Sequence, residues 1–336
     1  MSLPPFQLLR PRTVAAAVAA LDRHQGNIKI IAGGTDVIPS LKQNLFAPRF
    51  VLDLRGIAEL QGIRVVPGGG TEIGALTSLS ALEHSAHLRE HYSVLREAAR
   101  TVASPILRNM GTIGGNICLD TRCLWYNQSL AWRKSCGFCI KKDGDLCHVA
   151  PGSARCWAAF SGDTPPALLC LDAELEVASA AGARRVKLRD FYNNDGIACL
   201  RMGKDELLTR IFLPQSSAGL AGAYQKLRMR GSIDYPLAGV AVALKRHALG
   251  NGHPAGEIAD VRMAITAVNP SPLLVPGLDQ ILAGKFMDDD LARAAGDCAA
   301  STAKPLTTSA LTPEYRREMV RVFARRVLLA ASAMPN

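Results

Sequence analysis

The stretch Lys29 to Ser40 reads KIIAGGTDVIPS: a β-rich run that empties into Gly33-Gly34-Thr35-Asp36. Paired glycines let a backbone turn sharply. Without Cβ atoms, successive N–H groups point into one concavity that binds phosphate oxygens, and a ligand can approach closely. Thr35 adds a hydroxyl. A second stretch, Arg108 to Cys118, reads RNMGTIGGNIC and repeats the pattern over Gly111, Thr112, Ile113, Gly114, Gly115 and Asn116. Either loop alone reads as a tight turn. Neither is a Walker A loop or a G-x-G-x-x-G opening a helix, so a conventional Rossmann site is unsupported.

Outward from the first loop, RTVAAAVAALDRH has helical spacing, with Val14, Val18 and Leu21 on one face, and RFVLDLRG is a second β-rich run. A strand is expected at Glu72–Leu76, then helices to about Ala103, ended by Pro105. PPALLC predicts a helical turn, followed by a hairpin about Ala181-Gly182, and ELLTRIFLP predicts a strand. The Ser/Ala/Gly-rich link QSSAGLAGA marks a boundary near residue 215. Beyond it YQKLRMR, LAGVAVALKRHA and IADVRMAITAV are β-like, and helices follow from Leu278. The last helix opens at Thr312-Pro313, with Tyr315, Met319, Val322, Phe323 and Val327 expected inside and its arginines facing elsewhere.

Bulk composition is that of a globular chain: 336 residues, 48% apolar and 20% charged. The start is not a signal peptide, and no window reaches the ~20 apolar residues of a membrane span, so a cytoplasmic protein with no membrane partner is expected. Net charge is +10, but it is spread out and aromatics are 5%, which argues against a nucleic-acid partner. No Ser/His/Asp or paired-carboxylate pattern supports hydrolysis, and no catalytic residue is assigned.

Five of the nine cysteines, Cys123, Cys136, Cys139, Cys147 and Cys156, fall within 34 residues of poor periodicity. In a reducing compartment such a cluster points to metal or redox chemistry before disulfides. Structural zinc favours two short C-x₂₋₄-C pairs, and only Cys136 and Cys139 fit. Four thiols spaced C-x15-C-x7-C-x8-C can wrap a cubane cluster. Spacing thus favours iron–sulfur, with zinc open. His148 reads as a neighbour of Cys147, and Cys118, Cys170, Cys199 and Cys298 as small core hydrophobes.

IIAGGTDV and RNMGTIGGNI resemble the two FAD-binding stretches of flavin subunits of molybdenum hydroxylases, the xanthine dehydrogenase and carbon monoxide dehydrogenase group. The resemblance continues at GDTPPALLCLDAELEV and through AYQKLRMRGSIDYPLAGVAVAL. It implies an α+β fold: a vanillyl-alcohol-oxidase-type FAD-binding domain in two subdomains, 1–57 and 58–214, then a C-terminal α+β domain, 215–336, with an antiparallel sheet and helices. It also implies FAD contacts at Ile31, Ala32, Gly33, Gly34, Thr35, Asp36, Val37, Val102, Thr112, Ile113, Gly114, Gly115, Asn116 and Asp163. Lys226 is a weaker candidate, since a lysine in a β-run points at solvent by default.

The segment 119–160 departs from most such subunits and resembles the insertion of the 4-hydroxybenzoyl-CoA reductase type, which carries a [4Fe-4S] cluster. DTRC, YNQS, GFC, GDLCHV and RC match it, implying Cys123, Cys139, Cys147 and Cys156 as ligands and excluding Cys136. The expected function is an electron-transfer subunit holding FAD and [4Fe-4S]. Its partners would be a molybdopterin-containing large subunit, a small subunit with two [2Fe-2S] clusters and ferredoxin as donor, in a dimer of heterotrimers. The alternatives are a hydroxylase of another aromatic or N-heterocyclic substrate, or a zinc-stapled nucleic-acid-binding protein.

Overall fold

The computed structural model describes residues 2–247 and 256–334; Ala248, the last residue of the LAGVAVALKRHA run, lies outside them. Strands β1 (Gln7–Leu9), β2 (Ile28–Ile31) and β3 (Phe50–Asp53) form a parallel sheet in the order β1-β3-β2. The helix Val14–Arg23 makes the crossover. Thr13 starts it by accepting from the Ala16 N–H at 3.2 Å, and Ala17, Val18 and Leu21 bury its inner face.

The second sheet is antiparallel: β4 (Ile63–Val65), β5 (Thr71–Gly74), β6 (Glu174–Ser179), β7 (Gly182–Lys187) and β8 (Leu207–Leu213), in the order β4-β5-β8-β6-β7. The region before the second glycine loop corrects one expectation. Pro105 does not end a helix but opens one, Pro105–Met110, with Ser104 as cap. A proline at the first helical position loses no N–H that the helix would use.

The third sheet contains β9 (Ala221–Leu227), β10 (Ala238–Arg246), β11 (Ile258–Thr266) and β12 (Leu273–Leu274), in the order β12-β11-β10-β9. Strand β10 is buried on both faces. Ala241 and Ala243 join the core of the second sheet, while Val240, Val242 and Leu244 join a core with the C-terminal helices. The period of two thus splits one strand between two cores and fixes this sheet against the rest of the chain.

The C-terminal helix Pro313–Ser332 is capped by Thr312, and Phe323 and Val327 are buried as expected with Met319 and Val322 packed against the same core, but its first turn differs. Tyr315 is exposed, and Arg316 is fully buried. The Arg316 guanidinium donates to the carbonyls of Leu237, Leu306 and Ala267 at 2.6–2.8 Å, and burial pulls its pKa down to about 10. Three acceptors compensate a buried cation that the apolar pattern could not anticipate. Cys170 and Cys199 are buried as expected, while Cys118 and Cys298 are only half-buried. No helix among the described residues is long and apolar enough to cross a membrane.

Candidate flavin site and cysteine cluster

Strand β2 delivers the first glycine loop beside the second. Gly33 sits so close to the helix end at Met110 that a Cβ there would lie 1.9 Å from the Met110 carbonyl oxygen. Gly34 has φ +76°, a conformation glycine adopts without strain. Among the described residues, the backbone N–H groups of Gly33, Gly34, Thr35 and Asp36 donate to no protein acceptor. Consecutive free N–H groups around a left-handed glycine make an anion nest. The loop therefore fits a phosphate.

The second loop differs from the sequence expectation. Ile113–Ile117 is a short helix capped by Thr112, whose Oγ1 accepts from the Gly115 N–H at 3.1 Å. The N–H groups of Ile113, Gly114 and Asn116 donate to Thr77, Ala75 and Thr112 carbonyls at 2.9–3.0 Å. They are not free to cradle an anion. Gly114 serves packing, since a Cβ there would stand 2.8 Å from the Ala75 oxygen. Asn116 accepts from the Thr164 N–H and hydroxyl, tying this helix to the next element.

A cavity of about 690 Å³ opens between the loops, within the ~300–1,000 Å³ range of ligand pockets. Ala32, Gly33 and Thr112 line it. Arg55, Thr77 and Asn109 also line it and were missed, because nothing local in the sequence marks them. Ile31, Gly34, Thr35, Asp36, Val37, Val102, Ile113, Gly114, Gly115, Asn116, Asp163 and Lys226 are not among its lining residues. Val102 instead turns its carbonyl to Arg108 Nη1 at 2.9 Å.

Several of these residues meet in a polar chain. Lys226 does not point at solvent. Its buried Nζ donates to Asp163 Oδ2 at 3.1 Å and to the Asp234 carbonyl at 3.2 Å. Tyr224 Oη donates to Asp163 Oδ1 at 2.7 Å. Burial pushes the Asp163 carboxyl up, against the pull of Lys226 and Tyr224. Next to Asp234, Tyr235 Oη donates to Asp36 Oδ1 at 3.0 Å, and Arg122 Nη1 donates to the same oxygen at 3.1 Å.

Arg122 opens the cysteine segment. Its N–H and carbonyl both pair with Ala159, at 2.8 Å each, closing the neck of the excursion 123–158. Inside lies one helix, Leu130–Ser135. Burial pushes the Cys123 thiol up to about 11, and the thiols of Cys156, Cys139 and Cys147 add to the shift. Burial likewise pushes Cys156 to about 11, with Cys147 and Cys139 again among its raising neighbours. Cys123 and Cys156 thus each have the other expected ligands as electrostatic neighbours. The Ala158 N–H donates to Cys156 Sγ at 3.3 Å, and a Cβ at Gly196 would lie 2.8 Å from that sulfur.

Among the described residues no three His, Cys, Asp or Glu side chains converge to hold a single metal ion. A tetrahedral zinc with Zn–S of ~2.3 Å needs sulfurs only about 3.8 Å apart. A four-iron cluster would take its thiolates from farther apart, with N–H···S contacts such as that on Cys156 tuning it. All nine cysteines are free thiols. His148 stacks on Trp125 at 4.2 Å and bonds the Phe138 carbonyl, consistent with a structural neighbour.

Comparison with known proteins assigns the two halves. Residues 4–216 match the FAD binding domain in molybdopterin dehydrogenase, and residues 222–331 match the CO dehydrogenase flavoprotein C-terminal domain. The carbon monoxide dehydrogenase medium chain of Afipia carboxidovorans is 30% identical over 328 residues, 98% of this chain and 97% of its own. The xanthine dehydrogenase FAD-binding subunit of Escherichia coli O157:H7 is 26% identical over 96% of this chain and 95% of its own. The solved carbon monoxide dehydrogenase of Hydrogenophaga pseudoflava, which lacks the Mo-pyranopterin moiety, superposes with a TM-score of 0.79 at 26% identity, covering all of both chains. These relatives are not of the aromatic acyl-CoA reductase type. The chain belongs to the family of FAD-binding medium subunits of the molybdenum hydroxylases.

Proposed function

We propose that this subunit carries electrons between FAD and a [4Fe-4S] cluster within a molybdenum-dependent complex of the 4-hydroxybenzoyl-CoA reductase type. The observation that supports the reading is that Cys139, Cys147 and Cys156 all lie near enough to Cys123 to raise its thiol pKa, and Cys139 and Cys147 near enough to Cys156 to do the same there. The quartet sits in an excursion whose neck residue, Arg122, is bonded to the first flavin loop. FAD, when bound, converts between two-electron and one-electron chemistry. The chain's residues grip and orient it. The free N–H groups of Gly33 to Asp36 would take its pyrophosphate, with the cavity beside Ala32, Gly33 and Thr112 taking an adjoining part. Asp163 and Lys226 would support the site from behind as a neutralised buried pair.

The reading divides the chain into FAD subdomains 1–57 and 58–214, with the insertion 119–160, and a C-terminal domain 215–336. Its partners are a molybdopterin-containing large subunit, a small subunit with two [2Fe-2S] clusters and a ferredoxin donor, assembled in the cytoplasm as a dimer of heterotrimers. The substrate would bind elsewhere in the complex. Likeness to dehydrogenase medium chains favours a second reading, in which electrons leave a substrate oxidised at molybdenum and flow outward through this subunit.

Iron and flavin analysis of anaerobically purified protein tests the reading. One FAD and about four irons per chain are expected from a single cubane. Cys139→Ala should lose the cluster and Cys136→Ala should keep it, while both retain FAD. Zinc in place of iron, or cluster loss in Cys136→Ala alone, would defeat the ligand set. Direction of flow is decided by whether reduced ferredoxin or an oxidisable substrate reduces the flavin in the assembled complex.

A further inference from the structure

Three separate parts of the chain meet at one carboxylate. Asp36 lies in the first flavin loop, at the start of the helix Val37–Lys42. Aspartate there ordinarily caps its own helix by accepting from the next turn's N–H groups. Asp36 makes no such bond. Its Oδ1 instead accepts from Arg122 Nη1 at 3.1 Å and Tyr235 Oη at 3.0 Å, and the Arg122 guanidinium lies over the Tyr235 ring at 4.1 Å. The Arg122 and Asp36 side chains are 30% and 23% exposed, so water screens the pair only in part. The backbone of Arg122 is pinned at both polar atoms by Ala159, and the next residue is Cys123. Whatever shifts the neck of the cysteine excursion therefore pulls on the flavin loop.

Resting on the FAD and cluster reading above, we propose that Arg122 is a positioning residue that locks the cysteine segment to the flavin loop through Asp36, with Tyr235 bracing the pair from the C-terminal domain. The lock holds the nest of N–H groups in its binding conformation. Charge-assisted hydrogen bonds are among the strong ones, and a tenfold loss of affinity corresponds to about 1.4 kcal/mol. Loss of the lock should appear in the flavin dissociation constant, while iron content stays unchanged.

The test measures FAD affinity, by fluorescence of released flavin, and iron per chain in the full-length protein. The variants are Arg122→Gln, Asp36→Asn, their double, Arg122→Lys and Tyr235→Phe. Arg122→Gln should weaken FAD about tenfold with iron retained. The double variant should be no weaker than the worse single, because both remove one contact. Arg122→Lys should recover part of the loss, and Tyr235→Phe should cost a few-fold. Unchanged affinity in Arg122→Gln, or a double variant equal to the product of the singles, overturns the proposal. If Arg122→Gln does not fold, unchanged affinity in both Tyr235→Phe and Arg122→Lys overturns it. Failure of the underlying reading is distinct: the unmodified protein itself then lacks FAD or iron, and the proposal falls with it.

Discussion

The two glycine loops look alike in sequence and do different work. In the first, Gly34 turns left-handed and four N–H groups in a row are left without an acceptor among the described residues. In the second, the same residue types form a capped helical turn whose N–H groups are already bonded, and Gly114 is there because Ala75 stands against it. A glycine pair signals close approach, but the approaching group can be the protein's own backbone as readily as a ligand.

Substitutions sharpen that contrast. The largest effect is expected at Gly33→Val, where a Cβ meets the Met110 oxygen at 1.9 Å and must force the loops apart. FAD should be absent from the purified protein; normal flavin content would break the close-approach argument. Gly114→Ala comes next. Crowding Ala75 by one methyl should lower stability by about 1–3 kcal/mol, read from the urea midpoint, with FAD affinity in the folded protein little changed. Equal loss of FAD affinity at both positions would erase the distinction between the loops. Gly34→Ala imposes a left-handed conformation on a residue with a Cβ, at about 1–2 kcal/mol, and should weaken FAD several-fold in a titration. The smallest effect belongs to Thr112→Val, which removes the cap on Gly115 and should cost about 1 kcal/mol in thermal or urea unfolding.

What could be read from the sequence follows from how far apart the deciding residues lie. The strands around the first loop were legible because apolar runs end at glycine, and the helix Val14–Arg23 because its apolar spacing is local. Pro105 was misread because a proline that stops one helix and one that starts the next look the same without the Ser104 cap in view. On the last helix Phe323 and Val327 were legible from their spacing, but Arg316 reads as a surface residue until three carbonyls surround it. Burial of Lys226 depends on Asp163, and the Asp36 junction joins residues 86 and 199 positions apart. No window along the chain contains such pairs. The cysteine segment was visible by count and spacing. That Cys139 and Cys147 lie near both Cys123 and Cys156 emerges only when the excursion is folded.

The bridge between Arg122 and Ala159 closes the neck of the excursion. Within it the chain is anchored to the host fold again, by the Leu124 N–H on the Thr308 carbonyl, Arg133 on the Asn44 carbonyl and Lys141 on the Gly196 carbonyl, so its length is free to vary only between those anchors. Each doubling of such a loop costs only about 0.6 kcal/mol in closure entropy. Residues added between those anchors therefore leave the strand registers behind the neck unchanged. The cysteine excursion can be lengthened or shortened between its anchors without rewriting the flavin-binding frame, provided that the arginine at its neck stays.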